Sequence, residues 1–249
     1  MDNENSYGSS STPGTSNSSN ANSISFTTSY SESQAPSTLG SSTTQIFQLQ
    51  QQLSFVIGGN MYLFPSIFGV YRNGMNRFVL SENRTTTPFM SIATHSGLSS
   101  EPSVVVSSPT AVMGTAQFHS STSRTDIVVG ITSTSLQSTG ILSPVWNFTY
   151  TFDDGHQEAF EWKKSSGEAV AGLGGKSKGH KLVRVLSGEI VAAWTHSENF
   201  NLDNFAKIGL LDSARVQGWG ERWEVTVVIA AVALIEKERR ARDDAANAA

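Results

Sequence analysis

Six bases fall within 22 positions of this chain: Lys163, Lys164, Lys176, Lys178, Lys181 and Arg184, opposed only by Glu168. Clustered ammonium and guanidinium groups attract anions at long range and present several donors to carboxylate or phosphate oxygens. The ligand such a stretch suits is an anionic surface, such as a phospholipid head group or an inositol phosphate. The plainer alternative is a solvated loop that uses charge for solubility. The formal net charge of −4 gives the chain as a whole no pull toward nucleic acid, so any recognition by these bases must be local.

Other constellations are weaker. "GKSKG", Gly175 to Gly179, matches the G-x-S-x-G nucleophile elbow at Ser177, with Glu189 and His196 in the right chain order to complete a triad. That elbow needs a strand before it and a helix after it, whereas here a glycine-rich loop precedes and the strand-like "HKLVRVL" follows. "GLGGKS" falls short of a phosphate-binding loop, because Val170 stands where the spacing requires glycine. The histidines, at 95, 119, 156, 180 and 196, form no H-x-x-x-H pair, and with no cysteine a thiolate metal site is impossible. Asp153-Asp154 precedes Gly155 and reads as turn chemistry rather than an acid pair. No catalytic residue, metal or cofactor is therefore expected. An enzyme would need His156, His180 or His196 hydrogen-bonded to a carboxylate in a cleft.

The elements that must hold these residues are mostly strands. Short apolar runs predict strands at Leu53–Ile57, Met61–Phe64, Arg77–Leu80, Phe89–Ala93, Ser103–Ser107, Val112–Phe118 and Asp126–Thr132. In "VWNFTYTFDDGHQEAFEWKK", Trp146, Phe148, Tyr150 and Phe152 share one face of a strand, Asp154-Gly155 supplies the turn, and Phe160 and Trp162 resume the pattern. "KLVRVLSGEIVAAW" gives a second hairpin about Ser187-Gly188, and "AKIGLLD" one more strand. Ten or so short strands at this spacing suggest a barrel or a sandwich.

One apolar segment follows the strands. Val225 to Ile235 carries no charge, and it gives way to the i,i+4 pairs Glu236/Arg240 and Glu238/Arg242, which predict a helix over about 221–242. As a helix, this apolar run spans roughly 17 Å against a hydrocarbon core of roughly 30 Å, so no transmembrane span is expected. Apolar on every side, the helix should be enclosed by protein, and a sheet that curls needs such a filler.

Residues 1–45 are rich in Ser and Thr and contain no Lys or Arg, which predicts a disordered tail ahead of a folded domain over 46–249. The start of the sequence lacks a signal-peptide pattern, so a cytoplasmic location is expected and the Asn17, Asn83 and Asn147 glycosylation triplets read as chance.

The pattern of an aromatic-rich strand, then "FEWK" (Phe160 to Lys163), "HKLVRVLSGEIVAAW", "KIGLLD" and the apolar helix from near Trp223 resembles the tubby C-terminal superfamily. It is most similar to that group's uncharacterised fungal members and to the related LURP-one family. The resemblance covers about 200 residues and implies a closed antiparallel barrel of twelve strands around a central hydrophobic C-terminal helix. It implies no enzymatic activity. Tubby proteins bind phosphoinositides and the similar scramblases act on membrane lipids, but the tubby lipid-binding residues do not carry over, since their basic motif does not align with "FEWKK". The expectation is a non-enzymatic protein, peripheral at membranes, that binds anionic phospholipid through Lys163, Lys164, Lys176, Lys178, Lys181 and Arg184. A protein-binding scaffold with a phosphorylatable tail stays open as the alternative.

Overall fold

The computed structural model describes residues 55–57, 60–96, 99–119, 123–140, 143–198 and 204–249, with side chains from Leu63 onward. The expected tail over 1–45 lies outside the described residues. Two short strands, β1 (Phe55–Ile57) and β2 (Asn60–Tyr62), pair only with each other. Twelve more follow in one meander: β3 (Ile67–Arg72), β4 (Arg77–Ser81), β5 (Met90–Thr94), β6 (Val104–Ser107), β7 (Val112–Phe118), β8 (Arg124–Val129), β9 (Thr132–Thr139), β10 (Val145–Thr151), β11 (Gln157–Ser165), β12 (Gly179–Arg184), β13 (Ile190–His196) and β14 (Asn204–Leu210). Every neighbour is antiparallel, and β14 pairs back onto β3, so the sheet closes into a barrel. Among the described residues three helices complete the fold: α1 (Glu168–Ala171), α2 (Asp212–Val216) and α3 (Glu221–Asn247).

α3 is the filler that the apolar run predicts. Every residue from Trp223 to Glu236 is buried, and the inward faces of the strands close on it with Phe68, Leu80, Ile92, Val104, Ile127, Leu136, Phe160, Trp162, Leu182 and Trp194. Burial alternates along β11, where Glu158, Phe160 and Trp162 point in, as a strand with one solvated face requires. The helix lies closest to β7 and β8, and glycine makes the approach possible. A Cβ on Gly114 would sit 2.5 Å from the Val128 carbonyl oxygen and 2.6 Å from Ile229 Cδ1.

The barrel thus has an amino mouth, where α3 enters, and a carboxyl mouth, where it leaves. At the amino mouth the buried Glu224 carboxylate accepts hydrogen bonds from the Leu63 and Phe64 backbone N–H groups at 2.9 and 3.3 Å. Arg215 of α2 donates to the Phe64 carbonyl at 2.6 Å, so the chain entering the barrel is gripped on both polar groups. Burial pushes the Glu224 carboxyl above its ordinary value, and the two N–H donors and Arg215 offset only part of that. Outside the wall, Val170 of α1 and Leu173 cover Ala193 in a small second cluster, which explains why β13 is buried on both faces.

Three expectations need correction. The run over Asp126–Thr132 ends at Val129, where Gly130 turns with positive φ and a separate strand, β9, begins at Thr132. β3 goes beyond the predicted set, as do α1 and α2. The helix runs to Asn247 rather than to about 242, with the i,i+4 pairs Glu236/Arg240 and Arg239/Asp243 supporting it past the barrel. No helix among the described residues is long and apolar enough to cross a membrane.

Candidate functional site

The barrel wall divides the six bases into three groups. On β11 and β12, register pairs Lys163 with Lys181 and Lys164 with His180, so consecutive lysines point to opposite faces. Lys163 and Lys181 project from the outer wall, where Glu161 holds the Lys163 ammonium at 2.5 Å. Arg184, four residues beyond His180, lies at the amino mouth, forked onto the buried Glu158 carboxylate. Lys164, Lys176 and Lys178 gather at the carboxyl mouth. A single rim holding all six is therefore not what forms: a pleat turns two outward, and the run of β12 carries a third to the far end.

At the carboxyl mouth those three lysines border a cavity of about 910 Å³ whose remaining walls come from β10, β12, β13 and α3. Lys237 and Arg242 of α3 add two further bases, and among the described residues Glu238 is the only acid lining it. Among the described residues, Lys164 and Lys178 have no carboxylate within ion-pair distance. Lys237 rests its ammonium over the rings of Phe118 and Trp146, 4.8 and 5.0 Å from their centroids, and burial first, then Arg240, holds its pKa below the ordinary lysine value.

Glu238 is occupied within the protein. His196 Nε2 lies 2.9 Å from one carboxylate oxygen and His180 Nε2 lies 3.7 Å from the other. Burial pushes Glu238 up, but the His196 hydrogen bond and the His180, His196 and Arg242 charges outweigh it, leaving the carboxyl below its ordinary value. The His180 ring stacks on Trp194 at 4.6 Å and 18°. Burial depresses its pKa, Lys164 and His196 add to the depression, and Glu238 opposes it. Five bases face one acid that two histidines already hold. The mouth therefore carries a local excess of positive charge.

The same geometry bears on catalysis. Histidine and carboxylate do meet in a cleft, which is the condition an enzyme would need. The second nitrogen of each ring, Nδ1 of His180 and of His196, is nevertheless buried in the protein away from the cavity surface. Ser177 is followed by β12 rather than a helix, and Glu189 lies beside Arg184 at the far mouth, 4.0 Å from it. The G-x-S-x-G match has no triad.

The amino mouth holds a second cavity of about 810 Å³, among Tyr150, Phe152, Trp219 and a set of mutually paired charges. Arg222 binds Asp153 at 2.6 Å, His156 bridges Asp154 and Glu158, and Arg184 lies 5.5 Å from the Trp219 ring centroid. Asp153-Asp154 opens the β10–β11 turn as expected, with Gly155 at φ 86°. Among the described residues no group of three His, Asp or Glu side chains is disposed to hold a metal.

Sequence reasoning missed Lys237, Glu238, Arg242, His180 and His196 as members of one site, because they belong to strands and a helix distant in the chain. A signal was present: a helix leaving a barrel places its first charges at the mouth, and these follow directly on Ile235. Against protein-family models, curated proteins and solved structures, the chain finds no match.

Proposed function

We propose that this protein is a non-enzymatic, tubby-like barrel that binds the head group of an anionic phospholipid at its carboxyl mouth, peripheral to a cytoplasmic membrane face. One observation carries the reading: Lys164, Lys176 and Lys178 converge with Lys237 and Arg242 on one cavity whose sole acid is held by histidines. A basic side chain near an anionic bilayer contributes about 1 kcal/mol. Three lysines therefore supply about a hundredfold in affinity.

Co-sedimentation with phosphatidylcholine vesicles containing a few per cent phosphoinositide tests this. Reversing Lys164, Lys176 and Lys178 to glutamate should abolish binding, while reversing Lys163 and Lys181 on the outer wall should leave it intact. No binding by the wild type, or an equal loss from the outer-wall pair, would overturn the reading. Deleting residues 1–45 separates it from the tail-driven scaffold: a lipid binder keeps its affinity.

A further inference from the structure

The carboxyl-mouth cavity is more than a ring of charge. Its walls include the rings of Trp146 and Trp194, the Pro144 ring, and the methyl groups of Ala241 and Ala245, one turn apart on the stretch of α3 that leaves the barrel. A head group alone needs none of these. Aromatic and aliphatic walls with a basic edge are complementary to a molecule that is hydrocarbon at one end and anionic at the other. At about 910 Å³ the cavity, open to solvent on one side, has room for a small ligand.

From this we infer that the cavity encloses the chain as well as the head of a single-chain anionic amphiphile, a monoalkyl or monoacyl phosphate. The inference rests on the anion-binding reading above and extends it from a surface contact to an extracted ligand. The phosphate lies against Lys164 and Lys178 at the edge. The hydrocarbon lies along the Pro144 ring and the α3 face bearing Ala241 and Ala245, beside the Trp146 ring on which Lys237 rests. Small side chains at these two positions keep that space open; both are exposed, so larger ones would fill it without entering the barrel core. The chain's own N-terminal segment is a poor occupant, since residues 1–45 have few large apolar side chains and their acids are sparse.

The test is a series of n-alkyl phosphates from hexyl to dodecyl, titrated below their micelle concentrations by calorimetry. Each buried methylene is worth at most roughly fourfold in affinity, so Kd should fall steadily with length and level off when the space is filled. Inorganic phosphate should bind far more weakly, and dodecyl maltoside, which has the chain without the charge, should not compete. Ala241→Trp with Ala245→Trp should flatten the length dependence while leaving the melting temperature unchanged. K164E/K178E should weaken every member of the series. A Kd independent of chain length in the wild type, or equal binding of dodecyl maltoside and dodecyl phosphate, would overturn the inference. Vesicle binding without length dependence leaves the head-group reading standing and removes this one. Length dependence without vesicle binding does the reverse.

Discussion

His180 and Glu224 are buried titratable side chains at opposite mouths, and they load the fold with opposite pH dependence. His180 is depressed, so as pH falls below about 6.5 the unfolded chain takes up its proton first and stability is lost through that window. The groups facing it are Lys164 from β11, His196 from β13 and Glu238 from α3. His180→Phe keeps a ring on Trp194 and removes the proton. The difference in melting temperature between wild type and variant should therefore change between pH 7 and pH 5 in the variant's favour; parallel curves would refute this. Glu224 is raised, so its contribution is fully present below about pH 4.5 and is lost as pH rises through its folded value. Glu224→Gln keeps an oxygen for Leu63 and Phe64 and removes the buried charge. It should lose less stability than wild type between pH 4.5 and 7 in urea titrations. Glu224→Ala leaves two N–H groups without an acceptor and should cost about 1–3 kcal/mol.

At the scale of elements, α3 decides whether there is a barrel. Ala231 is fully buried in its apolar run, and an aspartate there would be a charge with no partner on any side. Several kcal/mol is a large share of a stability of about 5–15 kcal/mol, so Ala231→Asp should fail to fold; recovery of soluble protein with a cooperative melt would contradict this. Gly114→Ala tests the helix–wall contact from the other side and should cost roughly 1–3 kcal/mol by thermal or urea unfolding. The role of α3 was legible because an apolar segment too short to span a membrane has few other places to go. The aromatic hairpin was legible from strict alternation and Asp154-Gly155. β9 was not, since in "TSTSLQST" only Leu136 is large and apolar, and a strand whose inward face is carried by so little gives almost no periodic signal. β3 escaped because Gly69 interrupts it; in the structure that glycine makes room for the Tyr71 ring on the same face. The site was legible only in its local half, because spacing shows which bases are near in sequence but not which way a pleat turns each one.

Across the described molecule, a net negative protein gathers five bases at one mouth of its barrel. Asp153, Asp154, Glu158 and Glu221 outnumber Arg184 and Arg222 at the amino mouth, where α3 begins, and bases dominate at the carboxyl mouth, where it leaves the barrel. The acids at the amino mouth match the dipole of α3, whose last turn, beyond the carboxyl mouth, carries no base. Vesicle binding at the carboxyl mouth should accordingly weaken steeply between 0.1 and 1 M salt, as the screening length shrinks from about 10 to 3 Å. Binding that does not respond to salt would place the contact elsewhere. The order of elements has a further consequence. The helix that fills the barrel is encoded after every strand that encloses it. At about 5–20 residues per second, the ribosome releases the wall before its filling, and for some seconds the inward faces of twelve strands have only water or one another to meet. Translation of this chain therefore passes through an unavoidable hollow stage. A nascent chain stalled before Gly220 should aggregate or be held by a chaperone, and one stalled downstream of α3 should not.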